Sequence, residues 1–221
     1  MWWWEYPAVI VASYLVGAIP MGYIAGRVLK GIDIREYGSG VIGATNVLRT
    51  LGKGPFVAVL LADAMKGFVP VFVTWQAFGS HELQVASGLA AVLGHDFPVY
   101  IGFRGGRGVA TTFGVYAALA LEVGFGLVAV ALFIMLTFRY MSLMSIITVP
   151  LGALVFLLLA VIGVQGDVLG LREYNYTKAV FGGFATLFVI LRHIPNIRRL
   201  IQGTEPKLGD GGGRRKAAPT G

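Results

Sequence analysis

The sequence predicts an all-α membrane protein, a compact bundle of about seven transmembrane helices with glycine-rich, basic loops on its cytoplasmic side. Charged residues make up only 13% of the 221 residues, whereas a soluble domain carries about 25%. Apolar residues make up 56%, and the mean hydropathy is +0.74. Apolar stretches also recur at lengths near the roughly 20 residues that a helix needs to cross a bilayer. These observations exclude a disordered chain and argue against a water-soluble domain.

Seven apolar stretches are the predicted membrane spans. They are 7–28, 54–78, 83–103, 109–121, 123–138, 142–164 and 176–191. The fourth and fifth are short, so they form either one re-entrant pair or two tilted spans joined tightly at Glu122. Residues 1–202 are expected to form a single integral membrane domain, and residues 203–221 a flexible, basic cytoplasmic tail.

The positions of Lys and Arg predict the orientation of the chain. They are concentrated after the first, third, fifth and seventh spans, at Arg27, Lys30, Arg35, Arg49, Lys53, Arg104, Arg107, Arg139, Arg192, Arg198, Arg199, Lys207, Arg214, Arg215 and Lys216. The opposite side holds Arg172 and Lys178 among several acidic residues. The positive-inside rule then places the N-terminus outside and the C-terminus in the cytoplasm. The net charge of +7 is thus explained by topology, and no nucleic-acid partner is expected.

Several chemistries lack the residues they need. There is no Cys and there are three His, which excludes disulfides and thiol nucleophiles and leaves little for a metal site. The H-x4-D acyltransferase dyad, the G-x-S-x-G elbow and the H-E-x-x-H zinc helix are all missing. A Ser-His-Asp hydrolase or a metalloprotease is therefore unsupported, and no metal or other cofactor is predicted.

The first informative stretch is 37–49, where Gly38 to Gly43 form a G-x-G-x-x-G pattern. This pattern indicates dinucleotide binding only after a strand in a βαβ unit, and here it follows a membrane span. Small residues still expose backbone N–H groups that can bind an anion, although a plain flexible turn is the alternative. The candidate site residues in this stretch are Ser39, Gly40, Thr45, Asn46 and Arg49.

The second stretch, 102–112, combines two Arg with Gly at three of the four positions from 105 to 108, before an apolar helix. It lacks the Walker A spacing, but Arg binds phosphate bidentately and a helix N-terminus favours an anion. The alternative is that its Arg residues only set topology, which does not require the Gly cluster. A phosphate site is therefore favoured. Its candidate residues are Arg104, Gly105, Gly106, Arg107 and Gly108.

The third stretch, 191–205, ends the last predicted span. His193 and Asn196 are three residues apart and share one face of a helix. A basic helix end that complements the helix dipole and the lipid surface is the alternative.

Polar residues also occur inside the predicted spans. Asp63 and Lys66 are predicted to form an ion pair that supports the bundle, because an unpaired charge in the membrane is costly. A direct catalytic role for that pair is less favoured. His95, next to Asp96, is interpreted as a buried, hydrogen-bonded histidine in preference to a site residue.

Together these stretches resemble the bacterial membrane acyl-phosphate:glycerol-3-phosphate acyltransferase family of the PlsY type. The matching stretches are GSGVIGATNVLR, D-x-x-K-G at 63–67, GHDFPVYIGFRGGRGVAT and LRHIPNIRRLIQGTE, and the resemblance extends over 17–207. It implies transfer of a fatty acyl group from acyl phosphate to the 1-hydroxyl of glycerol 3-phosphate, giving lysophosphatidic acid and phosphate. This is the first acylation step of phospholipid biosynthesis.

The resemblance also implies roles for individual residues. Ser39, Arg49, His193 and Asn196 match the residues that matter for catalysis, and Glu205 matches a structural Glu. Gly105, Gly106 and Gly108 match the motif associated with glycerol 3-phosphate. The sequence departs from the family where Val41 replaces the usual Asn and where Arg104 and Arg107 replace Lys.

The expected mechanism aligns two phosphate anions and stabilises developing charge. Arg49, Arg104, Arg107 and Asn196 would hold phosphates, and Ser39 would hydrogen-bond at the reacting centre. Either His193 or a substrate phosphate accepts the proton. Direct transfer is preferred to a covalent acyl-Ser39 intermediate, which lacks an activating signature nearby.

The alternative function is a transporter for phosphate-bearing metabolites or lipids. Transporters often show inverted repeats and broken helices at mid-membrane, whereas this sequence shows no repeat and places its motifs on one face. An enzyme is therefore favoured. Its expected partners are acyl phosphate, glycerol 3-phosphate and membrane lipids, and it is expected to act as a monomer in the bacterial inner membrane.

Overall fold

The computed structural model describes residues 4–164, 174–210 and 213. In these residues the chain forms nine α-helices and two short 3-10 turns. The α-helices are α1 Glu5–Gly17, α2 Met21–Lys30, α3 Ala44–Leu51, α4 Lys53–Phe78, α5 His81–Asp96, α6 Val109–Leu119, α7 Leu121–Phe138, α8 Met141–Ile162 and α9 Tyr176–Ile201. The 3-10 turns are Ile34–Glu36 and Val99–Ile101. The all-helical membrane class is confirmed.

In the part of the chain that the structure describes, five helical stretches are long and apolar enough to cross a membrane. They are Glu5–Lys30, Lys53–Phe78, Leu121–Phe138, Met141–Ile162 and Tyr176–Ile201. The first of these combines α1 and α2. The predicted third and fourth spans correspond to α5 and α6, which have 16 and 11 residues. The chain is thus a multi-pass membrane protein, and the count of seven crossings stays a prediction.

The first predicted span is interrupted where α1 ends and α2 begins, at Pro20. Proline lacks the N–H that would continue the helix, so nearby carbonyls need other donors. The ammonium of Lys66 donates to the Ile19 carbonyl oxygen at 2.9 Å and lies 2.8 Å from Asp63 Oδ1. The predicted ion pair is confirmed, and it stabilises a break between two helices.

Two predicted spans end at other residues in the structure. The third was expected to reach residue 103, but α5 ends at Asp96, because Pro98 disfavours helical backbone at Phe97. The seventh was expected to end at residue 191, but α9 continues through Pro195 to Ile201. His193 and Asn196 therefore both lie inside a helix, and both are buried.

Helices α6 and α7 form a tight hairpin whose joint is Ala120, not Glu122. Ala120 has extended backbone, and an added Cβ on Gly124 would lie 2.5 Å from the Cα of Ala117. Helix α6 packs equally closely on α4, where a Cβ on Gly114 would lie 1.9 Å from the Ala64 carbonyl oxygen. Small residues allow this close approach, as is common between membrane helices. The short α6 therefore lies between α4 and α7.

Tyr116 joins α6 to the last two helices of the bundle. Its hydroxyl donates to the Val149 carbonyl oxygen at 2.7 Å, and its ring contacts Phe156 and Phe181. The aromatic contacts fix α9 against α6 and α8. This packing sets the position of the polar residues near the end of α9.

The predicted flexible tail begins at residue 203. Residues 203–210 lie against the bundle, where the Leu208 N–H donates to the Arg139 carbonyl oxygen at 2.7 Å. Residues 211, 212 and 214–221, on which most of that prediction falls, lie outside the described residues.

Candidate active site

A cavity of about 990 Å³ opens at one end of the bundle. Its polar wall includes Ser39, Thr45, Asn46, Arg49, Arg107, His193, Asn196, Arg199 and Glu205. Its apolar wall, from α4, α6 and α7, includes Leu60, Leu61, Phe113, Val128, Leu132 and Met135. The three stretches singled out in the sequence therefore meet in one cavity that has a charged part and an apolar part.

Asn46 is fully buried and organises the first loop. Its Nδ2 donates to the carbonyl oxygens of Ile34, Tyr37 and Val41 at 3.0, 3.1 and 2.9 Å. Its Oδ1 accepts from the Ser39 N–H at 2.9 Å. The amide is thus occupied by the chain's own backbone, and its structural effect is to hold Ser39 in the cavity wall.

Glycine is required in this loop for two reasons. Gly38 and Gly40 have φ of +52° and +76°, which favours residues without a Cβ. A Cβ on Gly38 would also lie 2.2 Å from Asn46 Oδ1. Gly40 does not line the cavity, so its contribution is to the turn that presents Ser39.

Arg49 projects from α3 into the same cavity, one helical turn after Thr45. Its Nε is buried and has no hydrogen-bond partner in the described part of the chain. Burial lowers the pKa of Arg49, an effect that Glu205 and Asp210 oppose. A buried guanidinium nitrogen without a partner is costly, so an anion bound here would stabilise it.

The second loop lies flat against the end of α5. A Cβ on Gly105 would lie 2.1 Å from the His95 carbonyl oxygen, and a Cβ on Gly106 would lie 1.9 Å from His95 Nε2. Gly108 has φ of +70° and immediately precedes α6. None of these three glycines lines the cavity, but only glycine allows the loop to pack this closely.

The two arginines of this loop have different surroundings. Arg107 is partly buried and lines the cavity, whereas Arg104 is exposed and lies outside it. Burial lowers the pKa of Arg107 to about 10; Glu205 opposes this, and the nearby Arg199, Arg192 and Arg49 add to it. The expectation that both loop arginines line one site is therefore not met for Arg104.

His193 and Asn196 face the cavity from α9. His193 Nδ1 lies 2.8 Å from the Val189 carbonyl oxygen, which can only accept a hydrogen bond. Nδ1 therefore carries the proton, and in the neutral ring Nε2 is left as an acceptor. Asn196 Nδ2 donates to Glu205 Oε1 at 2.6 Å, while Asn196 Oδ1 has no partner among the described residues.

Glu205 anchors the segment that follows α9. It accepts hydrogen bonds from Ser142 Oγ at 2.7 Å, from Asn196, and from Arg199 Nε at 2.8 Å. Burial alone raises the pKa of Glu205, but these hydrogen bonds outweigh it and lower the pKa. This geometry agrees with the structural role that the resemblance implies.

Sequence reasoning missed several polar residues of the wall. Arg199 follows Asn196 by three residues on the same helical face, so spacing could have identified it. Ser142 and Ser145 at the start of α8 gave no signal, because single serines are ordinary in apolar helices. His95, interpreted as a buried, hydrogen-bonded histidine, is buried but also reaches the cavity. Its Nδ1 lies 3.6 Å from Asp63 Oδ1 and has no hydrogen-bond partner among the described residues.

The chain is similar to proteins of known class over most of its length. Residues 7–203 match the family model described as glycerol-3-phosphate acyltransferase. A glycerol-3-phosphate acyltransferase of Parasynechococcus marenigrum is 45% identical over 201 residues, which are 90% of this chain and 88% of that protein. One from Gloeobacter violaceus is 41% identical over 203 residues, which are 90% of this chain and 93% of that protein.

Solved structures agree with these relatives. One is a crystal structure of PlsY (YgiH), an integral membrane glycerol 3-phosphate acyltransferase, in its glycerol 3-phosphate form. It matches this chain with a TM-score of 0.82 and 38% sequence identity, and the match covers 93% of this chain and 96% of that one. The lysophosphatidic acid form has a TM-score of 0.79 and 38% identity over 92% of this chain and 95% of its own. This chain therefore belongs to the glycerol-3-phosphate acyltransferase family.

Proposed function

We propose that this protein transfers a fatty acyl group from acyl phosphate to the 1-hydroxyl of glycerol 3-phosphate, releasing lysophosphatidic acid and phosphate. The main support for this proposal is that one cavity joins a cationic, hydrogen-bonding part to an apolar part. The polar part suits two phosphate head groups, and the apolar part suits one acyl chain. The named relatives, and the solved structures in substrate and product forms, support this proposal.

The acyl chain would lie between α4 and α7, over the short α6. Leu61 and Leu132 line the cavity and are 59% and 48% exposed. With this exposure, the two side chains would make the cavity wall continuous with the surface that contacts lipid tails. An acyl phosphate can enter sideways from the bilayer and keep its head group at the polar end.

The polar groups are suited to aligning two anions that repel each other. Arg49 and Arg107 would hold the two phosphates, and the Gly105–Gly108 loop would receive glycerol 3-phosphate. The Asn196 Oδ1 and Ser39 would hydrogen-bond near the reacting centre. Asn46 and Gly40 would shape the first loop, and Arg104 would act at the membrane surface. This arrangement lowers the barrier mainly by positioning and charge stabilisation.

The reaction is a direct displacement. The 1-hydroxyl oxygen bonds to the acyl carbon, the bond from that carbon to the phosphate oxygen breaks, and phosphate leaves with the electron pair. The hydroxyl proton goes either to His193 Nε2, which the Val189 hydrogen bond leaves unprotonated, or to a substrate phosphate. No covalent Ser39 intermediate is included, because the sequence near Ser39 lacks a signature for an activating base.

The membrane arrangement completes the proposal. Seven crossings, including α5 and α6, place the N-terminus outside and the cavity at the cytoplasmic end of the bundle in the bacterial inner membrane. The positive-inside bias supports this orientation. A cytoplasmic opening gives the water-soluble glycerol 3-phosphate access, and the monomer contains every group in the wall.

The decisive experiment uses protein purified in detergent with labelled glycerol 3-phosphate and palmitoyl phosphate. We expect labelled lysophosphatidic acid from the wild type, little from Arg49→Gln, and wild-type amounts from the matched control Arg198→Gln, whose side chain is exposed on α9. A transporter needs a sealed compartment and makes no product in detergent. Absence of product with folded wild-type protein would reject the acyltransferase proposal.

A further inference from the structure

Arg192 lies next to His193 on α9 but outside the cavity wall. Its Nε and Nη2 donate to the Gly106 carbonyl oxygen at 3.2 and 2.5 Å. Nη2 also approaches the Asp96 carbonyl oxygen at 3.4 Å, and the guanidinium carbon lies 5.2 Å from the centre of the Phe97 ring. One side chain of α9 therefore holds both the end of α5 and the glycine-rich loop.

The loop is fixed on two sides. On one side the Gly106 N–H donates to the His95 carbonyl oxygen at 3.0 Å, and on the other Arg192 holds the Gly106 carbonyl. In a trans peptide the carbonyl and the following N–H point in opposite directions. By fixing the Gly106 carbonyl, Arg192 also fixes the direction of the Arg107 N–H, which has no partner among the described residues.

We infer that Arg192 is a positioning residue for the phosphate of glycerol 3-phosphate. It holds the Gly106–Arg107 peptide so that Arg107 offers a free N–H and a guanidinium to the phosphate. Arg192 itself does not touch the substrate. This inference rests on the proposed function, in which the same loop receives glycerol 3-phosphate.

The placement on α9 explains why a residue outside the cavity matters. The helix that carries Arg192 also carries His193 and Asn196, so Arg192 fixes the distance between the loop and those two groups. A loop shifted from the position that Arg192 holds would bind the phosphate less tightly, because charge-assisted hydrogen bonds need close and aligned partners. Two nitrogens of one planar guanidinium reach the same carbonyl, which a lysine ammonium cannot reproduce.

The test compares Arg192→Gln and Arg192→Lys with Arg198→Gln, which removes the same charge from an exposed position of the same helix. We expect Arg192→Gln to raise the KM for glycerol 3-phosphate about tenfold, as for loss of a charged hydrogen bond. The KM for palmitoyl phosphate and kcat should stay unchanged. Arg192→Lys should restore part of the affinity, and Arg198→Gln should match the wild type.

The readout separates positioning from folding. Partial unfolding lowers the apparent kcat but leaves the KM of the folded fraction unchanged. A KM for glycerol 3-phosphate equal to that of Arg198→Gln, or an equal rise in both KM values, would overturn the inference. A folded wild-type protein without acyltransferase activity would reject the proposed function and the inference with it, which is a different and recognisable result.

Discussion

His193 Nδ1 donates a hydrogen bond to the Val189 carbonyl oxygen at 2.8 Å, one turn earlier on α9. This bond fixes the imidazole ring and leaves Nε2 free to accept a proton or a hydrogen bond in the cavity. The hydrogen bond uses a backbone carbonyl, so the ring needs no carboxylate to hold its orientation. The neutral ring is thus prepared as a base or as a hydrogen-bond acceptor for the attacking hydroxyl.

The first prediction concerns that ring. We expect His193→Ala to lower kcat by about a hundredfold, at the lower end of what a general base contributes. Steady-state rates with both substrates saturating measure the effect. The control is His81→Ala, a histidine at the start of α5 that does not line the cavity. Near wild-type turnover would remove His193 from the base role and leave a substrate phosphate as the acceptor.

The second prediction contrasts two arginines of one loop. Arg107 lines the cavity and Arg104 is exposed outside it, although both carry the same charge. We expect Arg107→Gln to lower kcat/KM by about a hundredfold, because charged hydrogen bonds to phosphate are lost. Arg104→Gln should have a much smaller effect. Equal losses in the two variants would show that the loop binds substrate in another way.

The third prediction concerns close packing of the glycine-rich loop. A Cβ on Gly106 would lie 1.9 Å from His95 Nε2, so Gly106→Ala must displace either the buried His95 ring, which also lines the cavity, or the loop that carries Arg107. We expect kcat/KM for glycerol 3-phosphate to fall tenfold or more, which is about the loss of binding expected when one charged hydrogen bond is removed. Gly126→Ala on α7, where a Cβ meets open space, is the control. Wild-type kinetics for Gly106→Ala would contradict this account of the loop.

The fourth prediction tests the apolar part of the cavity. Val128 lines it from α7, so Val128→Trp should shorten the space for the acyl chain. We expect the KM for palmitoyl phosphate to rise while that for decanoyl phosphate stays nearly constant. Phe125→Trp, at an exposed position of the same helix, should alter neither value. A parallel rise for both chain lengths would indicate that the acyl chain lies elsewhere.

The fifth prediction follows from the hydrogen bonds to Glu205. They hold its pKa in the folded protein below the ordinary value of 4.5, so the ionised form is stabilised by folding. The contribution is complete above that value and is lost as the pH falls below it. We expect the melting temperature in detergent to drop over this acid range. The drop should be smaller in Glu205→Gln, which should also melt at a lower temperature than the wild type at neutral pH.

The sequence by itself determined the features that depend on local patterns. Hydropathy gave the membrane class, and three-residue spacing placed His193 and Asn196 on one helical face and paired Asp63 with Lys66. These follow from helical periodicity and from the cost of an unpaired charge in a membrane, which are properties of neighbouring residues. The family resemblance was also carried by contiguous motifs.

Only the tertiary structure decided how those polar groups are used. It buried Arg107 and exposed Arg104, occupied the Asn46 amide with backbone carbonyls, and brought Arg192 to the Gly106 carbonyl 86 residues away in sequence. Each outcome depends on which distant segment packs against the residue. Residue type and spacing indicate what a side chain can bind. Its neighbours in space decide whether it binds substrate, solvent or the protein's own backbone.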